Sequence, residues 1–221
     1  MDRFNDSIQF PSASATPVLR VGKFGSFCRA LLVLSMPLIV VGLVGCSGGA
    51  RHSGSSLETL NAPATIAVMP LLNMSRYDQA ETIVMHTTVV ELLNLKGDDD
   101  QPLFEVVDPG IVETAILEKR LRFTDRLSLE QLRDMGEELS VEYLLVGTVN
   151  EFDFVNDGST RLPSVAISLR IVTCASGKMV WASTHSKRGD DAETFFGLGR
   201  IETLEQLAAK TVREMTQTLR P

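Results

Sequence analysis

The chain has 221 residues, a net charge of −7 and three cysteines. Its length suits one globular domain plus a leader and a tether. The acidic balance excludes nucleic-acid binding, which needs Lys/Arg stripes to displace counterions, and it disfavours broad docking on anionic lipid.

Residues 1–19 are polar and carry Asp2 and Asp6, unlike a basic leader, so translation is expected to start near Val18 or Val21. Arg20, Lys23 and Arg29 then precede an apolar run from Ala30 to Val44 that contains Pro37. At 15 residues the run is short of the ~20 needed for a membrane span. A basic flank, a short apolar core and a small residue before a cut site make a secretory signal peptide. Leu43-Val44-Gly45-Cys46 resembles the lipobox of bacterial lipoproteins. That resemblance implies cleavage before Cys46 and acyl chains on its sulfur and new amino terminus. The expected division is residues 1–45 signal peptide, 46–61 lipidated cysteine and flexible tether, and 62–221 one α/β domain. Cleavage removes four basic and two acidic residues, which leaves 176 residues and a charge of −9. Cys28 leaves with the signal and Cys46 goes to lipid, so Cys174 has no disulfide partner and the domain relies on its apolar core.

Ser47 to Asn61 is rich in Gly and Ser, and its 15 residues reach at most about 50 Å. Thr65 to Pro70 reads as a buried first strand stopped by its proline. Asn73 to Asp78 is a loop. Gln79 to Leu95 is long enough for a helix, although Thr87-Thr88-Val89-Val90 leans towards strand. Leu103 to Val107 is a second strand, and Pro109 opens a helix over Gly110 to Leu121. Ser128-Leu129-Glu130-Gln131 is a capping box for Leu129 to Leu139, with Leu129, Leu132, Met135, Gly136 and Leu139 inward. Glu142 to Phe154 is a strand, Asn156-Asp157-Gly158 a turn, and Val165-Ile167-Leu169-Ile171 the apolar face of the next strand. Ala175 to Lys178 turns the chain into Met179 to Lys187, which carries the single tryptophan, Trp181, expected in the core. Thr203 to Leu219 is an amphipathic helix. The order β-α-β-α-α-β-β-β-α predicts parallel pairing early and a meander late, in a mixed sheet of about five strands packed by helices.

No catalytic motif stands out. Asp98-Asp99-Asp100 and Asp190-Asp191 lack the alternating oxygen ligands of a calcium loop and read as solvated. His52, His86 and His185 are scattered, with no zinc spacing. His185 beside Ser183 and Ser186 invites a hydrolase reading, without the Gly-x-Ser-x-Gly turn that would support it. Gly197-Leu198-Gly199 lacks the third glycine and preceding strand of a nucleotide loop. No cofactor or metal is expected. Phe195-Phe196-Gly197-Leu198-Gly199-Arg200 carries two readings. One phenylalanine plugs the core while the glycines shape a turn, or Phe195, Phe196 and Arg200 form an exposed contact patch with hot-spot composition.

Three stretches and the lipobox resemble one family. They are Ile66-Ala67-Val68-Met69-Pro70-Leu71, Glu142-Tyr143-Leu144-Leu145-Val146-Gly147-Thr148-Val149, and Ile171 to Trp181 around Ala175-Ser176-Gly177-Lys178. This is the superfamily of the curli-secretion lipoprotein (CsgG) and the penicillin-binding-protein activator (LpoB), with the TolB amino-terminal domain as a relative. Thr173 stands where its hairpin usually has aspartate. The resemblance implies a sandwich similar to anticodon-binding domains and no enzyme activity. It also implies an outer-membrane lipoprotein, lipid-anchored on the periplasmic face and working on a periplasmic or outer-membrane protein partner. Envelope assembly, secretion and peptidoglycan synthesis are the roles it points to. A homo-oligomeric subunit of a secretion or pore complex is the alternative. Two features depart from the founding members. The turn at Asn156–Pro163 is too short for a membrane-spanning hairpin, and the tether is short for crossing the periplasm.

Overall fold

Along the late strands, apolar side chains point both ways. Leu145, Val149, Ile167, Leu169 and Ile171 join one core, and Leu144, Val146 and Val172 another. A sheet apolar on both faces needs a cover on each. A computed structural model describes residues 51–52 (backbone only), 63–97, 100–158, 160–194 and 198–219. The signal peptide, Leu43, Val44, Gly45 and Cys46, the rest of the tether, Asp98, Asp99, Phe195 and Phe196 lie outside the described residues.

The strands are β1 (Arg51–His52), β2 (Ala64–Val68), β3 (Leu72–Asn73), β4 (Phe104–Val106), β5 (Tyr143–Asp157), β6 (Thr160–Thr173) and β7 (Met179–Arg188). The helices are α1 (Ala80–Leu93), α2 (Pro109–Glu118), α3 (Leu129–Leu139) and α4 (Leu204–Gln217). The sheet order is β1-β7-β6-β5-β2-β4, with β3 beside β5. β2 runs parallel to β4 and β5, whereas β5, β6 and β7 form the antiparallel meander. The mixed α/β sheet expected from the element order is therefore present, with two-residue strands β1 and β3 added to it. α1 and α4 supply side chains to the core on one face, and α2 and α3 to the core on the other.

Local chemistry explains most element boundaries. α1 forms despite its β-branched run because Ala80, Val84, Met85 and Leu92 are buried in the core, while Thr87 and Thr88 satisfy their hydroxyls on the Ile83 and Val84 carbonyls, both at 2.7 Å. Asp108, unremarked in the sequence, caps α2 by accepting from the Gly110 amide at 2.8 Å. α3 shows both bonds of its capping box, Ser128 with Gln131. Its Leu129, expected inward, stands exposed in the first turn. Trp181 is 4 % exposed and donates its indole N–H to Thr218 Oγ1 at 3.0 Å, so the sheet carries it against the end of α4.

Two features of β5 and β6 differ from expectation. The expected turn at Asn156–Pro163 is paired strand: Asn156 faces Arg161 and Phe154 faces Pro163 in register. The apolar pattern simply continues, with Leu162 buried and Phe154 packed on the first core. The Arg161 guanidinium caps the Phe154 ring at 4.4 Å, and Arg188 holds Asp157 at 2.9 Å. The second difference is a bulge between Val149 and Glu151. One extra residue turns Phe152 onto the face already used by Val149, where its side chain is fully buried. Gly147 lies just before it, and a Cβ there would sit 2.5 Å from the Ser168 carbonyl oxygen. Only glycine admits this approach of β6.

Candidate functional site

The segment between α2 and α3 carries the densest positive charge among the described residues. Lys119 to Arg126 holds Lys119, Arg120, Arg122 and Arg126 against Asp125 alone, in a chain of net −7. Its backbone is fixed. Arg120 takes the left-handed conformation (φ 53°), with Leu121 N donating to Ile116 O and Arg120 N to Leu117 O. This is a helix-ending motif that normally uses glycine at that position. Leu121 and Leu127 pack on the second core at either side. Thr124 Oγ1 donates to the Pro70 carbonyl at 2.7 Å, and the Arg170 guanidinium, from β6, donates to the Asp125 carbonyl. Lys119 is tied to Glu138 on α3 at 2.8 Å, which raises its pKa through that hydrogen bond and charge. What remains outward is Phe123, 56 % exposed, with the Arg126 guanidinium over its ring at 5.0 Å. Arg120 and Arg122 are exposed, with no ion-pair partner among the described residues. The sequence signal was there, four cations and a phenylalanine in eight residues, but no motif name attaches to it.

A groove of about 260 Å³ lies at the bulge, where Met74, Arg76, Glu151, Asp153 and Val155 meet. Asn73 shapes its rim by accepting from the Ser75 amide at 2.9 Å and donating to Glu81 at 2.7 Å. Tyr77 leans on Phe152 with ring centres 5.2 Å apart. Met74, pinned by its amide to the Val149 carbonyl, is 66 % exposed. Glu151 and Asp153 have no ion-pair partner among the described residues.

A larger cavity of about 470 Å³ opens between α3 and the ends of β5 and β6, lined in part by Arg133, Gly136, Tyr143 and Cys174. Burial pushes the Cys174 thiol up to about 11, which keeps it protonated and poorly nucleophilic. Burial, then the neighbouring Glu142, also raises Tyr143. Neither Cys174 nor Tyr143 is activated as a nucleophile here.

The residues singled out in the sequence divide as follows. Ser183 and His185 share one face of β7 and are buried; Ser186 points the other way and is exposed. Neither buried residue lines any of the cavities above, so no substrate reaches the pair by these routes. Arg200 lies 3.1 Å from Glu193 and is tied into the loop between β7 and α4. Leu198 of the same loop is exposed. No cluster of metal-ligating side chains occurs among the described residues.

The fold and these surfaces define a mixed α/β domain with helices on both faces of its sheet and solvent-facing apolar and arginine side chains on rigid loops. No known family profile matches the chain, and no curated protein sequence matches it. Its structure is similar to that of PelC from Paraburkholderia phytofirmans, solved as a dodecamer, with a TM-score of 0.51 at 15 % identity, covering 79 % of this chain and 100 % of that one. Lower TM-scores are found for the lipoprotein GNA1162 from Neisseria meningitidis (0.48, 18 % identity, 70 % of this chain and 99 % of that one) and for the LpoB C-terminal domain from Salmonella enterica (0.44, 14 % identity, 59 % and 86 %). The likeness to PelC is one of fold.

Proposed function

We propose that this chain is an outer-membrane lipoprotein, anchored by acyl chains on Cys46 with its domain in the periplasm, that works by binding protein and not by catalysis. Envelope assembly, secretion and peptidoglycan synthesis are the processes such a protein serves. The observation that carries this reading is the fixed loop Lys119–Arg126. It is anchored to Pro70 through Thr124 and by Arg170 at the Asp125 carbonyl, while an aromatic ring and three guanidinium groups face solvent. Exposed aromatic and arginine side chains on a rigid scaffold are the makings of a binding hot spot. The outer sides of α1 and α2 add exposed Val90, Leu93, Ile111 and Leu117.

The second reading, an oligomeric subunit of a secretion or pore-like complex, draws support from the fold shared with dodecameric PelC. The test is in-membrane crosslinking with mass spectrometry on cells expressing the chain, alongside labelled palmitate. We expect label on the wild type, none on Cys46→Ser, and crosslinks to a defined protein. Label on Cys46→Ser, or a soluble wild type without crosslinks, refutes the reading. Crosslinks between copies alone select the second.

A further inference from the structure

We infer that copies of this chain dock head to tail, with the Arg122–Phe123–Arg126 knob of one copy seated in the Met74–Glu151–Asp153 groove of the next. The inference rests on the second reading above, the oligomeric subunit, and names the surfaces that meet. Charge complementarity within the chain itself carries it. Arg120 and Arg122 lack ion-pair partners, and so do Glu151 and Asp153, among the described residues. The Lys119–Arg126 segment sums to +3 in a chain of −7. The groove holds two carboxylates against one guanidinium, that of Arg76.

Shape and polarity agree with charge. The knob offers an aromatic ring under a guanidinium, with centres 5.0 Å apart. The groove offers about 260 Å³ with exposed Met74, an adaptable apolar residue that makes favourable contacts with ring edges. Both surfaces are fixed before they meet. Thr124 and Asp125 pin the knob, and the Asn73 network with the β5 bulge pins the groove. Preorganised surfaces lose little entropy on docking. Two different patches of one chain make a heterologous contact, which repeats from copy to copy and closes into a ring where the rotation permits. An anionic membrane is the other surface a basic aromatic loop would seek, but it would repel the rest of this acidic chain.

The experiment uses the full-length chain in detergent, with mass read by analytical ultracentrifugation over a concentration series. Wild type should form species of many copies. Arg122→Glu alone and Asp153→Arg alone should each weaken association about thirtyfold or more, as loss of a hot-spot contact does. Each should keep the wild-type melting temperature, because both side chains are exposed. The double exchange, Arg122→Glu with Asp153→Arg, should restore association to within a few-fold of wild type. Phe123→Ala should weaken association and leave melting unchanged. A monomeric wild type, singles that assemble normally, or a double exchange no better than the singles overturns the inference. So does binding of the wild-type loop to phosphatidylglycerol vesicles that is lost in Arg122→Glu while assembly persists. Palmitate labelling and crosslinks to a different protein would leave the binding reading standing even then.

Discussion

Gly136→Ala separates helix propensity from packing. Gly136 sits inside α3, where alanine would favour the helix by about 0.8–1 kcal/mol. The added Cβ would meet the Cys174 Cβ at 2.5 Å, its Sγ at 3.0 Å and the Val141 carbonyl oxygen at 3.2 Å. Carbon atoms settle at about 3.5–4.0 Å, so the nearest contact is about 1 Å too short. The nearest atom is a Cβ, which cannot swing away as the Sγ can, so α3 or the end of β6 must move. Overpacking of this kind costs about 1–3 kcal/mol, and the upper part of that range outweighs the propensity gain. We expect a net loss of about 1–2 kcal/mol and a melting temperature lower by about 2–8 °C for a domain of this size. Urea unfolding followed by circular dichroism and Trp181 emission reads it. Glu137→Ala, one residue on and exposed, is the control and should stay within about ±0.5 kcal/mol. An increase in stability for Gly136→Ala would refute the packing argument and leave propensity in charge.

Trp181→Ala should destabilise by about 3–5 kcal/mol, and native emission should be blue-shifted, since the ring is buried and its N–H is bonded to Thr218; emission typical of water-exposed tryptophan would contradict it. Cys174 should resist maleimide at pH 8 until the chain unfolds. Its folded pKa is raised from 9.0 to about 11, so the contribution of the neutral buried thiol is full below pH 9 and is lost as pH rises towards 11; fast native labelling would show that the thiol is not buried. Phe195→Ala and Phe196→Ala sort the two readings of their segment: a core role lowers melting, and a contact role weakens association by about 2 kcal/mol or more with melting unchanged. Arg200→Ala should lower melting slightly through loss of its Glu193 contact, and an unchanged melt with weaker association would place it in the contact.

The order of elements is legible because β6 alternates with period 2, α3 and α4 carry apolar stripes at helical spacing, Gln79 to Leu95 is long enough for a helix, and Pro109 and Ser128 mark helix starts. The hairpin of β5 and β6 was cut short because Asn156-Asp157-Gly158 and Pro163 both signal turns. The structure uses Gly158 as the turn and keeps Pro163 paired, held by the Gly189 amide donating to its carbonyl at 2.9 Å. The bulge at Val149 had no signature, since an inserted residue looks like ordinary strand sequence. The burial of Trp181 is legible because it is the single tryptophan and its neighbours Val180 and Ala182 fit a strand. The Lys119–Arg126 loop was missed because its meaning lies in tertiary anchors, Pro70 and Arg170, that are distant in sequence. His185 reads in the sequence as a surface histidine, and the structure corrects this: it is 5 % exposed, on the same buried face of β7 as Ser183.

The pairing of β2 with β5 sets a timetable. β5, β6 and β7 are neighbours in sequence and can zip as two successive hairpins, whereas Ile66 must wait for Tyr143 to reach it. Contacts of low sequence separation form first because they close small loops. On a nascent chain made from its amino terminus, the apolar strand Ala64–Val68 therefore exists well before its central partner. Through that interval it is an unpaired, uncharged β-former, the kind of segment that seeks the wrong edge. Substitutions at Leu145 and Ile171 should consequently slow refolding, and those at Ile66 should mainly speed unfolding.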